Sequence, residues 1–376
     1  MNRRQSLRAL MGWAAASPLF AQSADDVTGP VNVHEFEAIA KTKLHKLAYD
    51  FIAGGVEDEQ TLRANREAFS RWFIVPRVMT DVSKVDTSLE LLGIPMQSPV
   101  IIAPTGGKNL VLPNADLTVA KAAAATKTLV CSGTGPERLI QDGTDVYWWS
   151  NTIGARDKAS AENYVRRMED QGCKGIVLTV DNQYQSNRDR NNRNRFDYGY
   201  MQTAVPTSGP PPKPVSPAKA AVFLPHTPNM TWEQIGWMRS ASKLPVIVKG
   251  VLAPDDAVLA IQNGASAISV SNHGGRQLDG AIASLDALPD VAEAVGGKVP
   301  VLMDGGIRRG SDILKALALG ARAVLVGRAP LWGLAAFGQP GVERVLWMLG
   351  AEFKLALALA GKPDVKSVDR KLVRRI

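Results

Sequence analysis

Ala267-Ile-Ser-Val-Ser-Asn272 runs directly into His273-Gly-Gly-Arg-Gln-Leu-Asp-Gly280. An apolar run of strand length that ends on polar residues and glycines delivers side chains to one end of a parallel sheet. Seven further runs share this form: Pro99–Pro104, Leu129–Gly133, Val146–Asn151, Gly175–Asp181, Pro245–Gly250, Val299–Gly306 and Ala323–Arg328. Amphipathic stretches alternate with them, among them Asp116–Thr126, Ala159–Gln171, Pro254–Asn263 and Ser311–Leu319, and the last three stop at Gly172, Gly264 and Gly320. Eight strand–helix repeats suit a (β/α)8 barrel, with a helical lead-in before them and an extended proline-rich loop after the fourth strand. A doubly wound sheet has the same periodicity but gathers its chemistry at one switch point. Here Lys249, His273, Asp304 and Arg328 stand at or just beyond four different strand ends, which favours the barrel.

With 376 residues, 45% of them hydrophobic, the chain can bury one large core. The net charge of +8 is local: residues 1–24 carry +3, residues 188–195 carry +3 and residues 362–376 carry +4. These segments hold more than the whole excess, so the body is close to neutral. No aromatic residues interleave with a basic stripe, which argues against nucleic acid as a partner. Residues 1–23 read as a twin-arginine export signal: Arg3-Arg4, a short apolar run from Ala9 to Ala21, and small residues at Ala21 and Ser23. The alternative is an uncleaved basic tail. Export by this route carries folded proteins, so the expected location is periplasmic or outside the cell, and residues 33–376 form the working domain. Prolines crowd residues 201–230, which read as a mobile loop. Cys131 and Cys173 have no metal-ligand spacing and read as packing residues.

Two late turns suit a phosphate: Asp304-Gly-Gly-Ile-Arg308 after the seventh strand and Gly327-Arg328 after the eighth. Glycines let backbone N–H groups approach an anion, and Arg308 and Arg328 add charge-assisted bonds. Lys249 ends an apolar run, so it needs a partner at the strand end: a neighbouring carboxylate, or a cofactor that gains negative charge. A lone histidine is usually structural. His273, however, has two glycines behind it and Arg276 three residues on, a base beside an anion clamp.

These segments, with Val248-Lys-Gly-Val251, Leu178-Thr-Val-Asp181, Val326-Gly-Arg328, Glu35–Lys41 and Asn65–Phe69, resemble the FMN-dependent 2-hydroxy acid oxidase and dehydrogenase family of glycolate oxidase and lactate oxidase. The resemblance runs from about Val33 to near the C-terminus. It implies FMN as cofactor, a small 2-hydroxy acid as substrate, oxygen, a quinone or a cytochrome as electron acceptor, and a homo-oligomer, a tetramer by analogy. It assigns proton abstraction to His273, with Asp181 behind it, and the substrate carboxylate to Arg276 and Arg188. Lys249 would stand by flavin N1 and O2. Pro104, Thr105, Gly106, Ser132, Thr179 and Ser271 would hold the isoalloxazine. Asp304, Gly305, Gly306, Arg308, Gly327 and Arg328 would hold the ribityl chain and phosphate.

Several positions depart from the family. Phe51 and Asn151 stand where two active-site tyrosines are usual, which puts both on the substrate wall, and Trp149 replaces a glutamine that bonds the flavin. Gly106 replaces an alanine, and residues 182–187 lack the family's Thr-Pro-Arg-Leu-Gly, although Arg188 keeps its spacing from Asp181. Each lost hydroxyl removes a hydrogen bond worth ~0.5–1.5 kcal/mol, more against a charge. The expected activity is oxidation of an L-2-hydroxy acid bulkier than glycolate to its 2-oxo acid. The alternatives are a flavin-binding redox protein without that turnover, or an FMN oxidase of a bulkier amine or peptide.

Overall fold

The computed structural model describes residues 26–201 and 224–376. The expected export segment lies outside them, as do residues 202–223 of the proline-rich loop. Eight parallel strands close into a barrel in chain order: β1 Val100–Ile102, β2 Leu129–Ser132, β3 Trp148–Thr152, β4 Ile176–Thr179, β5 Val246–Val251, β6 Ala267–Val270, β7 Val301–Asp304 and β8 Ala323–Val326. β8 returns to β1 through the register Leu325 to Ile101. Six of the eight expected runs contain their strand whole, and β3 and β5 each run one residue past the expected end, to Thr152 and Val251.

Alternation along each strand sorts the core into two bodies. Ile101, Leu129, Cys131, Trp149, Val177, Ile247, Leu302 and Leu325 fill the barrel interior, and a short hairpin closes that cluster with Leu89, Leu91, Ile94 and Met96. The intervening residues, among them Ile102, Val130, Trp148, Ile176, Val248, Ile268 and Val324, pack outward against the helices. A plugged interior leaves only the other end open, and there the strand C-termini meet solvent. Both cysteines are buried and free. Burial pushes the Cys173 thiol up to about 11, so it stays protonated.

Before the barrel come α1 Val33–Lys43, α2 Lys46–Ala53 and α3 Gln60–Ser70. They cross the C-terminal mouth side and dock through a buried amide pair. The side chains of Asn65 and Asn272 bond each other reciprocally, both at 2.8 Å. The approach is close enough that a Cβ on Gly306 would stand 2.1 Å from the Asn65 carbonyl oxygen. Among the barrel helices, α4 Ala115–Ala125, α6 Lys158–Asp170, α9 Pro254–Gln262 and α11 Gly310–Ala318 lie within a residue of their expected bounds. Gly172, Gly264 and Gly320 adopt φ of 82°, 98° and 111°, the left-handed stops their type allows. The others are α5 Pro136–Gln141, α7 Asp189–Asn194, α8 Glu233–Ala241 and α10 Ser284–Val295.

The last segment, α12 Arg328–Leu359, is two helices joined at a break, where Phe337 and Gly338 leave helical geometry. Its arms touch at Gly333 and Gly341, where a Cβ on Gly341 would lie 2.0 Å from the Gly333 carbonyl oxygen. Gly341→Ala is therefore expected to lose about 1–3 kcal/mol by overpacking. Thermal denaturation should show a midpoint several degrees lower; an unchanged midpoint would mean the two arms are free to separate.

Candidate active site

His273 follows β6 with left-handed backbone at φ 58°, and Gly274 and Gly275 continue at 67° and 72°. Such a conformation costs a non-glycine residue of order 1 kcal/mol and persists only where neighbours enforce it. The Asn272 side chain accepts from Gly275 N–H at 3.1 Å, and the Ser271 hydroxyl accepts from His273 N–H at 3.0 Å. The imidazole Nδ1 is 2.9 Å from Asp181 Oδ1, just beyond β4, which leaves Nε2 for the cavity. Burial lowers the His273 pKa below its ordinary value; Asp181 opposes this, while Lys249 and Arg188 add to it. Burial would raise the Asp181 carboxyl, but the imidazole, its hydrogen bond and Lys249 outweigh it and hold the group below the usual range. A neutral imidazole backed by a carboxylate is a base ready to work. Gly250 permits this approach: at φ 113°, a Cβ there would lie 2.7 Å from Asp181 Cγ.

Lys249, on β5, is almost fully buried and donates to Ser271 Oγ at 3.0 Å and to Asp304 Oδ2 at 2.9 Å. Ser271 donates in turn to Asp304 Oδ1 at 2.8 Å. Burial would lower the lysine's pKa, but Asp304 and Asp181 hold it above the ordinary value, so the ammonium is charged. An ammonium has three hydrogens, so one is left for the cavity that Lys249 helps to line.

The cavity over the barrel mouth has a volume of about 650 Å³, within the range of cofactor sites. Pro104, Thr105, Gly106, Ser132 and Thr179 face it, as do Asp304 to Arg308 and Gly327-Arg328. Phe51, Asn151, Arg188, His273 and Arg276 line it as well.

Two expected cofactor contacts are corrected. Ser271 has no bond left to offer: its hydroxyl donates to Asp304 and accepts from both Lys249 and His273, which uses its one hydrogen and both lone pairs. It is wholly buried behind the wall and positions other residues. Trp149 is also fully buried, in the apolar layer beneath the cavity floor. Side chains on one strand face recur every two residues, so Asn151 and then Ile153 rise above Trp149 into the cavity. Asn151 and Ile153 therefore line the cavity where Trp149 does not, and Asn151 Oδ1 accepts from Thr179 at 2.7 Å. Trp149 was expected at the flavin because the sequence does not show how deep a strand residue sits.

Lys108 was missed. It lines the cavity while almost buried, donating to the Thr105 carbonyl and to Asp116, both at 2.8 Å. Ser132 also donates to Asp116, at 3.1 Å. Nothing about a lysine between Gly107 and Asn109 marks it from sequence.

The far end of the cavity is short of negative charge. The backbone N–H groups of Gly305, Gly306 and Gly327 have no acceptor among the described residues, and the Arg308 and Arg328 side chains bond only carbonyl oxygens. Burial pulls Arg308 down to about 10 and Arg328 to about 9. The Arg308 N–H is already taken by Asp312 at 2.9 Å, so the glycines rather than this residue's backbone are free for an anion.

An FMN-dependent dehydrogenase family model matches residues 40–375. The chain belongs to that family. An L-lactate oxidase of Nostoc sp. is 40% identical over 356 residues, covering 91% of this chain and 98% of the relative. A human 2-hydroxyacid oxidase 1 is 38% identical, covering 91% and 96%. A crystal structure of mandelate oxidase with 3,3-difluoro-2-hydroxy-3-phenylpropionic acid superposes with a TM-score of 0.81 at 38% identity, covering 92% of this chain and 99% of that one.

FMN, the cofactor of this dehydrogenase family, fits the residues present. The three free glycine N–H groups with Arg308 and Arg328 suit a phosphate, and the spare Lys249 hydrogen suits the flavin edge. Arg308→Leu should weaken FMN binding roughly tenfold to a hundredfold, the worth of a hydrogen bond to a charged group at about 1.5–3 kcal/mol. Fluorescence titration of the apoprotein with FMN measures it; unchanged affinity would move the phosphate elsewhere.

Proposed function

We propose that this dehydrogenase oxidises an L-2-hydroxy acid to its 2-oxo acid. The observation that carries the reading is His273, bonded to Asp181, beside two arginines that have no carboxylate partner among the described residues. Arg276 spends one nitrogen on the carbonyls of Phe51 and Gly54, at 2.8 and 2.7 Å, which leaves Nε and Nη2 to grip an anion. Arg188 donates from Nε to Ser186 at 2.9 Å and keeps its terminal nitrogens. Burial is the chief cause that depresses both guanidinium groups, and for Arg276 the neighbouring Arg188 and Arg328 add to it. A substrate carboxylate would relieve that crowding.

In this arrangement the carboxylate fixes the substrate, and His273 Nε2 accepts the proton released as the carbinol becomes a carbonyl. The imidazolium that results is stabilised through Nδ1 by Asp181. FMN, when bound, supplies the two-electron acceptor. Phe51 and Ile153 give the substrate wall an apolar face, which supports a side chain larger than that of glycolate.

The wider setting is also proposed. Residues 1–23 support export as a folded, cofactor-loaded protein, and the family resemblance supports a homo-oligomer, a tetramer. Oxygen, a quinone or a cytochrome takes the electrons. Cell fractionation, light scattering and oxygen consumption during turnover address these three points in turn.

Anaerobic mixing with L-lactate, L-mandelate and longer L-2-hydroxy acids should bleach the flavin, and no bleaching by any of them would sink the reading. His273→Gln should keep FMN but reduce at a rate lower by roughly 10²–10⁴. The depressed His273 pKa sets the sign of the pH profile. The base is active when neutral, so kcat/KM should fall only as pH drops through a value below 6.5, the ordinary imidazole figure. An acid limb centred above pH 7 would contradict the assignment.

A further inference from the structure

Phe51, Asn151 and Ile153 all line the cavity and none of them carries a phenol, so these positions give the anion clamp no phenolic donor. A different phenol reaches the same spot. Tyr198, in the short helical turn Tyr198–Met201 after α7, lines the cavity with Phe51, Arg188, Arg276 and His273. Its ring meets Phe51 edge-on, with centroids 6.4 Å apart, and packs on Phe196 at 5.5 Å. Phe51 itself lies between the two arginines, 5.2 Å from the Arg276 guanidinium carbon and 5.9 Å from that of Arg188. Tyr198 therefore sits across one ring from the clamp.

The hydrogen bonding of the phenol shows which way it works. Gln185 Nε2 donates to Tyr198 Oη at 2.9 Å, and Asn191 Nδ2 donates at 3.5 Å. A phenolic oxygen accepts at its lone pairs and donates its single hydrogen. With two amides supplying hydrogens to the oxygen, its own hydrogen has no acceptor among the described residues. An oxygen that is already an acceptor is a better donor, since bonds in a chain polarise one another.

We infer that Tyr198 donates a hydrogen bond to the substrate carboxylate, a bond that Phe51, Asn151 and Ile153 cannot give through a phenol, and so helps to select 2-hydroxy acids. Gln185 and Asn191 are positioning residues that hold the phenol with its hydrogen turned inward. This rests on the 2-hydroxy acid reading above. It is separable from it, because binding of a 2-oxo acid can be measured without turnover.

The test uses the FMN-loaded full chain and follows the flavin spectrum as pyruvate or phenylglyoxylate is added. Tyr198→Phe should weaken binding of either about tenfold to a hundredfold, the range for a hydrogen bond to a charged group. KM for the hydroxy acid should rise by a similar factor, while kcat changes less than about threefold, as expected for a group that binds substrate and transition state alike. Adding Phe51→Tyr to that variant should recover most of the loss. Phe51→Tyr alone should tighten binding less than about twofold, because the site already holds a phenol.

Unchanged binding in Tyr198→Phe would overturn the proposal. So would a tenfold gain from Phe51→Tyr in the wild-type background, a result that stands even if the Tyr198 variant does not fold. If the wild type binds 2-oxo acids through Tyr198 but no hydroxy acid bleaches the flavin, the reaction reading fails and the binding role stands.

Discussion

The site is organised around one buried ion pair, Lys249 with Asp304, and the serine that bridges them. The three residues come from β5, β7 and the end of β6, so one knot ties three neighbouring strand ends together. Burying two charges is expensive, and the attraction repays that cost only when the remaining donors and acceptors are also met. Ser271 meets them and passes the constraint on, since its oxygen also takes the His273 N–H. The left-handed turn that aims the histidine is thus fastened to the ion pair. Any change that separates lysine from aspartate leaves an uncompensated charge in the barrel and loosens the base as well.

Around this neutralised centre the cavity carries an excess of cations. Arg188, Arg276, Arg308 and Arg328 are each pulled below their ordinary pKa, first by burial, and none has a carboxylate in ion-pair contact among the described residues. Arg328 shows how the protein tolerates this: each of its three nitrogens donates to a carbonyl, those of Ile52, Gly274 and Gly54, which leaves two of its five hydrogens. Carbonyl dipoles lower the local cost without cancelling the charge. The two ends of the cavity suit two anions, a phosphate at the glycine turns and a carboxylate at Arg188 and Arg276. Lys249 lines the same cavity, and its ammonium would favour a bound cofactor that gains negative charge on reduction.

What the sequence disclosed follows from which properties are local. Strand runs and their glycine stops were legible because periodicity and left-handed backbone are written in adjacent residues, as at Ala267–Val270 and Gly320. His273, Arg276, Arg308 and Arg328 were legible because each abuts a strand end. Depth along the barrel axis was not. Trp149, Asn151 and Ile153 share a face, and only the assembled barrel shows that the first lies beneath the floor and the third reaches the substrate wall. Ser271 was placed correctly but misread, because hydroxyl saturation depends on Lys249 and Asp304, distant in the chain. Lys108 and Tyr198 come from irregular segments, where no period marks which side chains turn inward.

The apolar replacements on the substrate wall also have a physical use of their own. Phe51 stacks on Phe196 at 4.9 Å, and the guanidinium carbons of Arg276 and Arg188 lie 5.2 and 5.9 Å from its ring centre. A phenyl ring over a cation attracts it without adding a hydroxyl that water could hydrate. A tyrosine at this position would bring its oxygen into the clamp itself. Moving that function to Tyr198 places it at the cavity rim instead, and leaves the inner wall apolar for a larger side chain.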